Sequence, residues 1–443
     1  MNIAIIGAGW AGLAAAVRAT EEGHNATVFE ASNTLGGRAR ALMVTLPDGR
    51  ELALDNGQHI LIGAYHATRQ LLRTVGVQAE TALLDLPMAL QFADGDGLRF
   101  TDWPTPLDAL GGILLARGWT WSDKVSLLSQ AVRWRLKGFQ CPPALTVDHL
   151  CRALTPRVRQ ELIEPLCVSA LNTPAQQASG TVFLRVLRDA MFGARGGSHL
   201  LLPMTDLSSL FPDAAASWLQ QHGSLVRRNA RVEGWHRDGK HWLLEVRDQH
   251  HPMASRRFDT LVLATSASNA AQALIQHANI AINAISNNCL EWARTAQSLR
   301  FEAIATVYAY HPHATLPQPM LALHSDAVCP AQFVFDRGRL CGPKGLLAFV
   351  VSAARGDKAD LQQQVLAQAH QQFGLDLQAV QTIVEKRATF ACTPQLKRPP
   401  AAIAPGLFAC GDYIDGPYPA TLEGAVLSGQ AVIRTILSHQ NPA

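Results

Sequence analysis

Three glycines near the N-terminus, Gly7, Gly9 and Gly12, stand at the GxGxxG spacing, and Glu30 follows 18 positions after the last. Residues of these types at this spacing bind the pyrophosphate of a dinucleotide. Gly7 permits a tight turn, and Gly9 lets phosphate approach the backbone across the Trp10-Ala11 spacer. Gly12 lets a helix pack closely on a strand. Glu30 suits ribose hydroxyls, and its charge repels a 2′-phosphate. A second stretch, Asp55-Asn56-Gly57-Gln58-His59, concentrates polar and titratable groups. It reads equally as acid–base machinery and as a turn-capping Asp beside a satisfied structural His.

The elements needed to position these residues are visible around them. Asn2–Ile6 predicts a buried strand, LAAAVRATEEG a helix closed by Gly23, and Ala26–Phe29 a second strand ending at Glu30. The helix start offers free N–H groups and a partial positive charge to phosphate. At the far end, Leu407–Cys410 predicts a strand, then Gly411-Asp412, then a last helix opened by Pro419 through Thr421 and Leu422. Gly424 and Gly429 fall inside that helix, where each costs about 1 kcal/mol relative to Ala, so a cofactor ring or a packed strand should approach there. Between the ends, Leu207–Leu225 reads as a Pro-interrupted helical stretch. Short strands follow at Leu225-Val226 and Ala230–Val232, and Trp242–Val246 pairs back across Arg237-Asp238-Gly239. Phe258–Thr265 is apolar enough for a buried strand, and Pro47-Asp48-Gly49 marks a turn between two others. The fold class is α/β.

Glu30 leads within a few residues to Gly36-Gly37-Arg38. This resembles the second signature of the FAD enzymes of the amine oxidase and phytoene desaturase superfamily, and the Gly411-Asp412 segment resembles that superfamily's C-terminal flavin motif. The resemblance implies a Rossmann-like FAD-binding domain with an α+β substrate-binding domain. It implies that Arg38 contacts phosphate or braces its loop, that Asp412 holds the ribityl chain, and that the last helix points at the flavin. Val232 would line the adenine, and Gly57 and Gln58 the isoalloxazine ring. The FAD domain would be assembled from residues 1–85, 196–266 and 385–443, with 86–195 and 267–384 forming the substrate domain. Pro165–Pro174 together with Asp55–His59 resembles the bacterial hydroxysqualene dehydroxylases. That family converts hydroxysqualene to squalene, which implies an isoprenoid substrate and an electron donor whose identity the sequence does not give. Asp55 and His59 become the acid candidates, with Asp415 and Tyr413 behind them. A carotenoid-type desaturase and a non-catalytic isoprenoid escort of the same fold are the alternatives.

Composition agrees with this class. The 443 residues carry 38 Lys and Arg against 35 Asp and Glu, only 16% are charged, and 48% are apolar. That points away from a disordered chain and from a nucleic-acid partner, and towards a large core or a greasy ligand. Eight scattered cysteines form no CxxC pair, so neither a disulfide framework nor a zinc site is expected. No apolar run reaches the roughly 18 residues of a membrane span, and the N-terminus lacks the basic flank of a signal peptide; a cytoplasmic protein is expected. Val125, Leu128, Val132 and Leu136 recur at helical steps, with Arg133, Arg135, Lys137 and three tryptophans nearby. Such a segment suits peripheral contact with an anionic membrane and equally a cover over an apolar pocket.

Overall fold

Strand Asn2–Ile6 buries Ile3, Ala4 and Ile5 completely, as a central strand of a parallel sheet must. The computed structural model describes residues 1–46, 48–104, 106–193, 195–247, 254–278 and 284–440. The central strand lies in a six-stranded sheet ordered Leu225–Arg227, Asn25–Phe29, Asn2–Ile6, Thr260–Leu263, Leu407–Ala409, Ala402–Ala404. The first five are parallel and the last is antiparallel. Strands distant in sequence thus lie side by side: Ile3 registers with both Ala26 and Thr260, and Val262 with Phe408.

Helix Trp10–Glu21 covers this sheet and is itself covered by the last helix, Leu422–Gln440. Their closeness explains Gly429, where a Cβ would meet the Ala11 carbonyl oxygen at 2.3 Å. At Gly424 a Cβ would meet the Tyr418 carbonyl oxygen at 1.9 Å. The partners of these glycines are therefore a helix and the chain's own preceding turn, not the ring or strand expected. The last helix also starts at Leu422 rather than at Pro419, capped by Thr421, whose hydroxyl accepts the Gly424 N–H at 2.9 Å.

A second, five-stranded sheet is built from Met320–Ala322, Phe333–Asp336, Leu346–Ala354, Phe301–Tyr310 and Gln378–Phe390. The last of these strands runs through position 385, so a boundary placed there cuts a strand paired along its length with Phe301–Tyr310. The hairpin of Arg231–Asp238 and His241–Arg247 forms as its turn residues predict, with a bulge between Val232 and Gly234. Strands Ala41–Thr45 and Glu51–Asp55 pair antiparallel; Pro47, part of the predicted turn between them, lies outside the described residues.

Helix Trp121–Leu136 turns the stripe of Val125, Val132 and Leu136 outward rather than over a pocket. It buries Asp123, Leu127, Gln130 and Trp134 and leaves Val125, Val132 and Leu136 exposed. Leu127 and Trp134 are the stronger packers, and Asp123 is held inward by a capping box with Thr120 and by the Thr155 hydroxyl. No helix among the described residues is long and apolar enough to cross a membrane.

Candidate active site

Both ends of the chain and both sheets open onto one cavity of about 770 Å³. At the end of the cavity beside strand Asn2–Ile6, the turn after that strand is a steric necessity. Gly7 has φ +111°, and a Cβ there would meet the Ala264 carbonyl oxygen at 2.6 Å. Gly12 packs behind the turn, where a Cβ would meet the Gly7 oxygen at 2.1 Å, and it does not line the cavity. Gly9 has nothing within 4 Å of its would-be Cβ, so its face is open space beside the uncapped start of helix Trp10–Glu21. Trp10 and Ala11 also line the cavity. The Glu30 carboxylate accepts the Ala8 and Ser32 N–H groups, each at 2.9 Å, with lone pairs left for ribose hydroxyls. Val232 lines the same end. These residues fit the pyrophosphate and ribose of a dinucleotide.

Towards the middle, Gly37, Arg38, Gly411 and Asp412 line the cavity together with Thr421 and Leu422. The Arg38 guanidinium donates to Asp412 Oδ1 at 2.7 Å and to the carbonyls of Arg387 and Ala388. These bonds brace the loop: they tie the glycine turn to the last strand of the second sheet. Cys410 is fully buried and outside the cavity lining, its thiol pushed up by burial.

The Asp55–His59 stretch divides. Asp55 ends a strand, and its side chain turns away from the cavity. It is fully buried, accepts the Leu207 N–H at 2.8 Å and lies 3.7 Å from the buried Arg337 guanidinium. Burial raises its pKa to about 6 against the opposing pull of Arg337. As a proton donor to a bound molecule Asp55 is therefore misplaced, because the strand directs it into the wall. Asn56, Gly57, Gln58 and His59 do line the cavity. His59 Nδ1 donates to the Gly57 carbonyl at 2.7 Å, leaving Nε2 as the ring's other proton-carrying atom. Burial, with a contribution from Arg38, lowers the His59 pKa. The Gln58 amide oxygen accepts Arg337 Nη1 at 2.8 Å, so the cation behind the wall orients it. The second-choice acids are also away from the cavity. Tyr413 is buried, and Asp415 is an exposed partner of Arg398 at 3.2 Å.

The second sheet supplies groups that sequence reasoning missed. Glu385 brings a carboxylate to the cavity wall, its Oε2 3.4 Å from the Asn56 amide nitrogen that donates to it. Thr306 brings a buried hydroxyl with no hydrogen-bond partner among the described residues. Alternation along their strands marks them as one face, but nothing local says that face meets a ligand. Around them the wall is apolar: Ile304, Phe333, Phe335, Val350 and Ile383, with Val168 and Ala170 from the segment before Pro174. That segment is the helix Glu164–Leu171, preceded by a π-turn at Arg159–Ile163 and ended by Asn172 with φ 44°. The Asn172 amide donates to Thr389 Oγ1 at 2.9 Å and its oxygen accepts the Ala353 N–H at 2.6 Å, fixing the helix to the second sheet.

Comparison with known proteins gives a matching context. The family model for flavin containing amine oxidoreductase matches residues 10–437. Hydroxysqualene dehydroxylase of Zymomonas mobilis is 27% identical over 98% of this chain and 99% of its own length. Zeta-carotene desaturase of Synechocystis is 32% identical, but over 19% of this chain and 16% of its own length. Among solved structures, cyclohexylamine oxidase from Brevibacterium oxydans superposes with a TM-score of 0.68 at 16% identity, covering 99% of each chain.

Proposed function

This chain belongs to the flavin containing amine oxidoreductase family, and on that premise we propose that it binds FAD and reduces hydroxysqualene to squalene. The observation that carries the reading is the extent of similarity. The match to a hydroxysqualene dehydroxylase runs the length of both chains, whereas the match to a carotene desaturase stops at 19% of this one. The apolar wall from Ile304 to Val350 supports it, since a hydrocarbon substrate needs such a surface.

The substrate's hydroxyl is allylic. Protonating it releases water and leaves a delocalised carbocation, and reduced FAD, when bound, supplies the hydride that quenches that carbon. Returning the cofactor to its reduced form would require two electrons from an external donor. Gly9, Glu30 and the start of helix Trp10–Glu21 would hold the pyrophosphate and ribose, and Asp412 and the start of the last helix the remainder. His59 holds the proton at Nε2, a placement typically worth about 10²–10⁴ in rate. Asn56, Gln58 and Glu385 orient the leaving hydroxyl, and the apolar wall keeps out water that would otherwise trap the cation. Asp55 and Arg337 act behind the wall as positioning residues. Residues 1–85, 196–266 and the chain after the strand that ends at Phe390 form the cofactor half, and the remainder forms the substrate half.

The test is anaerobic. Chemically reduced protein is mixed with hydroxysqualene, flavin absorbance is followed, and products are extracted. Reoxidation with stoichiometric squalene is expected. Unchanged absorbance without squalene overturns the reading, and flavin reduction by a carotenoid precursor transfers it to a desaturase. A colourless protein that cannot be reconstituted with FAD transfers it to a binding role.

A further inference from the structure

Among the described residues, the large apolar side chains most exposed to solvent are not scattered. Of the twelve, nine fall between Trp103 and Leu136, and the other three are Met43, Leu225 and Val328. The nine lie on two neighbouring helices, Leu107–Leu115 and Trp121–Leu136, and on the turn before the first. On the longer helix, Trp121, Val125, Val132 and Leu136 are 71%, 58%, 56% and 82% exposed. At 100° per residue these positions form one stripe, with the half-buried Leu128 between them. Asp123, Leu127, Gln130 and Trp134 form the buried stripe on the opposite side. This helix is therefore apolar on two faces, only one of which the fold covers. Isolated exposed apolar residues need no explanation, but a contiguous rimmed patch does.

The segment that carries the patch is rich in cations. Residues 97–140 contain Arg99, Arg117, Lys124, Arg133, Arg135 and Lys137. The same stretch has three acids, of which Asp108 and Asp123 are buried, leaving Asp102 exposed. The net charge of this segment, six cations less three acids, is +3, as large as that of the whole 443-residue protein. A second copy docking through the same face would bring these cations together. An anionic surface complements them, and a stripe carrying tryptophan and aliphatic side chains is what a helix lying in a bilayer interface presents.

We propose that the face formed by helices Leu107–Leu115 and Trp121–Leu136 docks on an anionic phospholipid bilayer, with the stripe from Trp121 to Leu136 inserted at the headgroup level. The docked face and the cavity share one apolar cluster. Leu127 and Trp134, on the inner side of the helix, belong to the same continuous apolar cluster as Phe333, Phe335 and Val350, which line the cavity.

The experiment is co-sedimentation of the full-length protein with phosphatidylcholine vesicles and with vesicles also containing phosphatidylglycerol. The expected result is strong retention on the anionic vesicles, weakened by salt, and weak retention on the neutral ones. Val125→Ser/Val132→Ser/Leu136→Ser should lower retention at least about tenfold on both. Arg133→Gln/Lys137→Gln should lower it roughly 25-fold on anionic vesicles, at about fivefold per cation near the surface, and little on neutral ones. Retained flavin content and an unchanged thermal midpoint show that the variants are folded, since all five positions are solvent-exposed. Wild-type protein remaining in the supernatant with both vesicles, or the serine variant binding like wild type, overturns the proposal. So does a dimer in light scattering that the serine variant abolishes, which would assign the face to a second copy.

Discussion

The Arg38 guanidinium meets the Asp412 carboxylate at 2.7 Å although 374 positions separate them in the chain. The pair joins the loop that follows the N-terminal fingerprint to the turn that precedes the last helix. Hydrogen bonds from the same arginine to the Arg387 and Ala388 carbonyls add the edge of the second sheet. One side chain thus clamps the three segments that surround the middle of the cavity. The charge on Asp412 raises the Arg38 pKa, with a smaller contribution from Glu385, so the cation is permanent. Its side chain keeps 38% exposure, so solvent screens the pair, and its value lies in geometry more than in Coulomb energy.

Removing that clamp should loosen the cofactor before it unfolds the protein. A hydrogen bond to a charged group contributes about 1.5–3 kcal/mol, so Arg38→Gln is expected to weaken flavin binding roughly 10- to 100-fold. Asp412→Asn should cost less, because the amide oxygen still accepts. The double variant should fall short of the sum of the two, as residues in direct contact do. Titration of apoprotein with flavin, followed by quenching, gives all three values. Strict additivity would show that the two residues act independently.

Asp55 gives a pH signature of opposite sign to that of an ordinary surface acid. Its carboxyl titrates at about 6 in the fold, against 3.8 for the free side chain. The raised value means that the stabilising contribution is fully present below pH 3.8 and is lost as pH rises through about 6. The size is on the order of 3 kcal/mol across that window. Asp55→Asn lacks the titration. The thermal midpoint of the wild type minus that of the variant should therefore shrink between pH 4 and pH 7. A difference that grows over that range would reverse the assignment. Flavin content should be unaffected throughout, because the carboxylate does not reach the cavity.

Where sterics dictate a position, the sequence was readable. Gly7 and Gly12 can be nothing larger in this turn, and the fingerprint residues other than Gly12 do face the cavity. Asp55 was misread because alternation along a strand sends neighbouring side chains to opposite faces, and its acidic character does not say which. The helix Trp121–Leu136 has two apolar stripes, and only tertiary packing decides that Leu127 and Trp134 turn inward. Glu385 and Arg337 carry no local signal at all. One joins the cavity and the other supports it only because the second sheet folds back over the Asn56–His59 turn.

The contact between the first and last helices should be intolerant of a single methyl group. A Cβ at position 429 would lie 2.3 Å from the Ala11 oxygen and 2.9 Å from the Ala15 nitrogen, both backbone atoms. Neither can rotate away, so Gly429→Ala must push the helices apart, at a typical overpacking cost of about 1–3 kcal/mol. Because Ala11 lines the nucleotide end of the cavity, flavin content should fall together with the thermal midpoint. Gly416→Ala is the control, since its would-be Cβ meets only the Ile414 oxygen, at 3.8 Å. Equal behaviour of the two variants would refute the packing argument.

His59 and Glu385 compete for the role of proton donor, and the geometry separates their expected behaviour. His59 spends Nδ1 on the Gly57 carbonyl, so a proton for the substrate must sit on Nε2 and the ring must be protonated to give it. Burial lowers its pKa below the usual 6.5, so turnover should decline as pH rises, with the midpoint of the decline under 6.5. His59→Gln should remove that limb and lower kcat by about 10²–10⁴. Glu385 accepts from the Asn56 amide and the Arg387 N–H, an arrangement suited to orienting a hydroxyl rather than protonating it. Glu385→Gln should therefore cost less in kcat than His59→Gln and leave the midpoint of the limb in place. Single-turnover kinetics of the reduced protein across pH 5 to 8 measure both quantities. The reverse order, with the limb lost in Glu385→Gln and kept in His59→Gln, would move the acid from the turn to the second sheet.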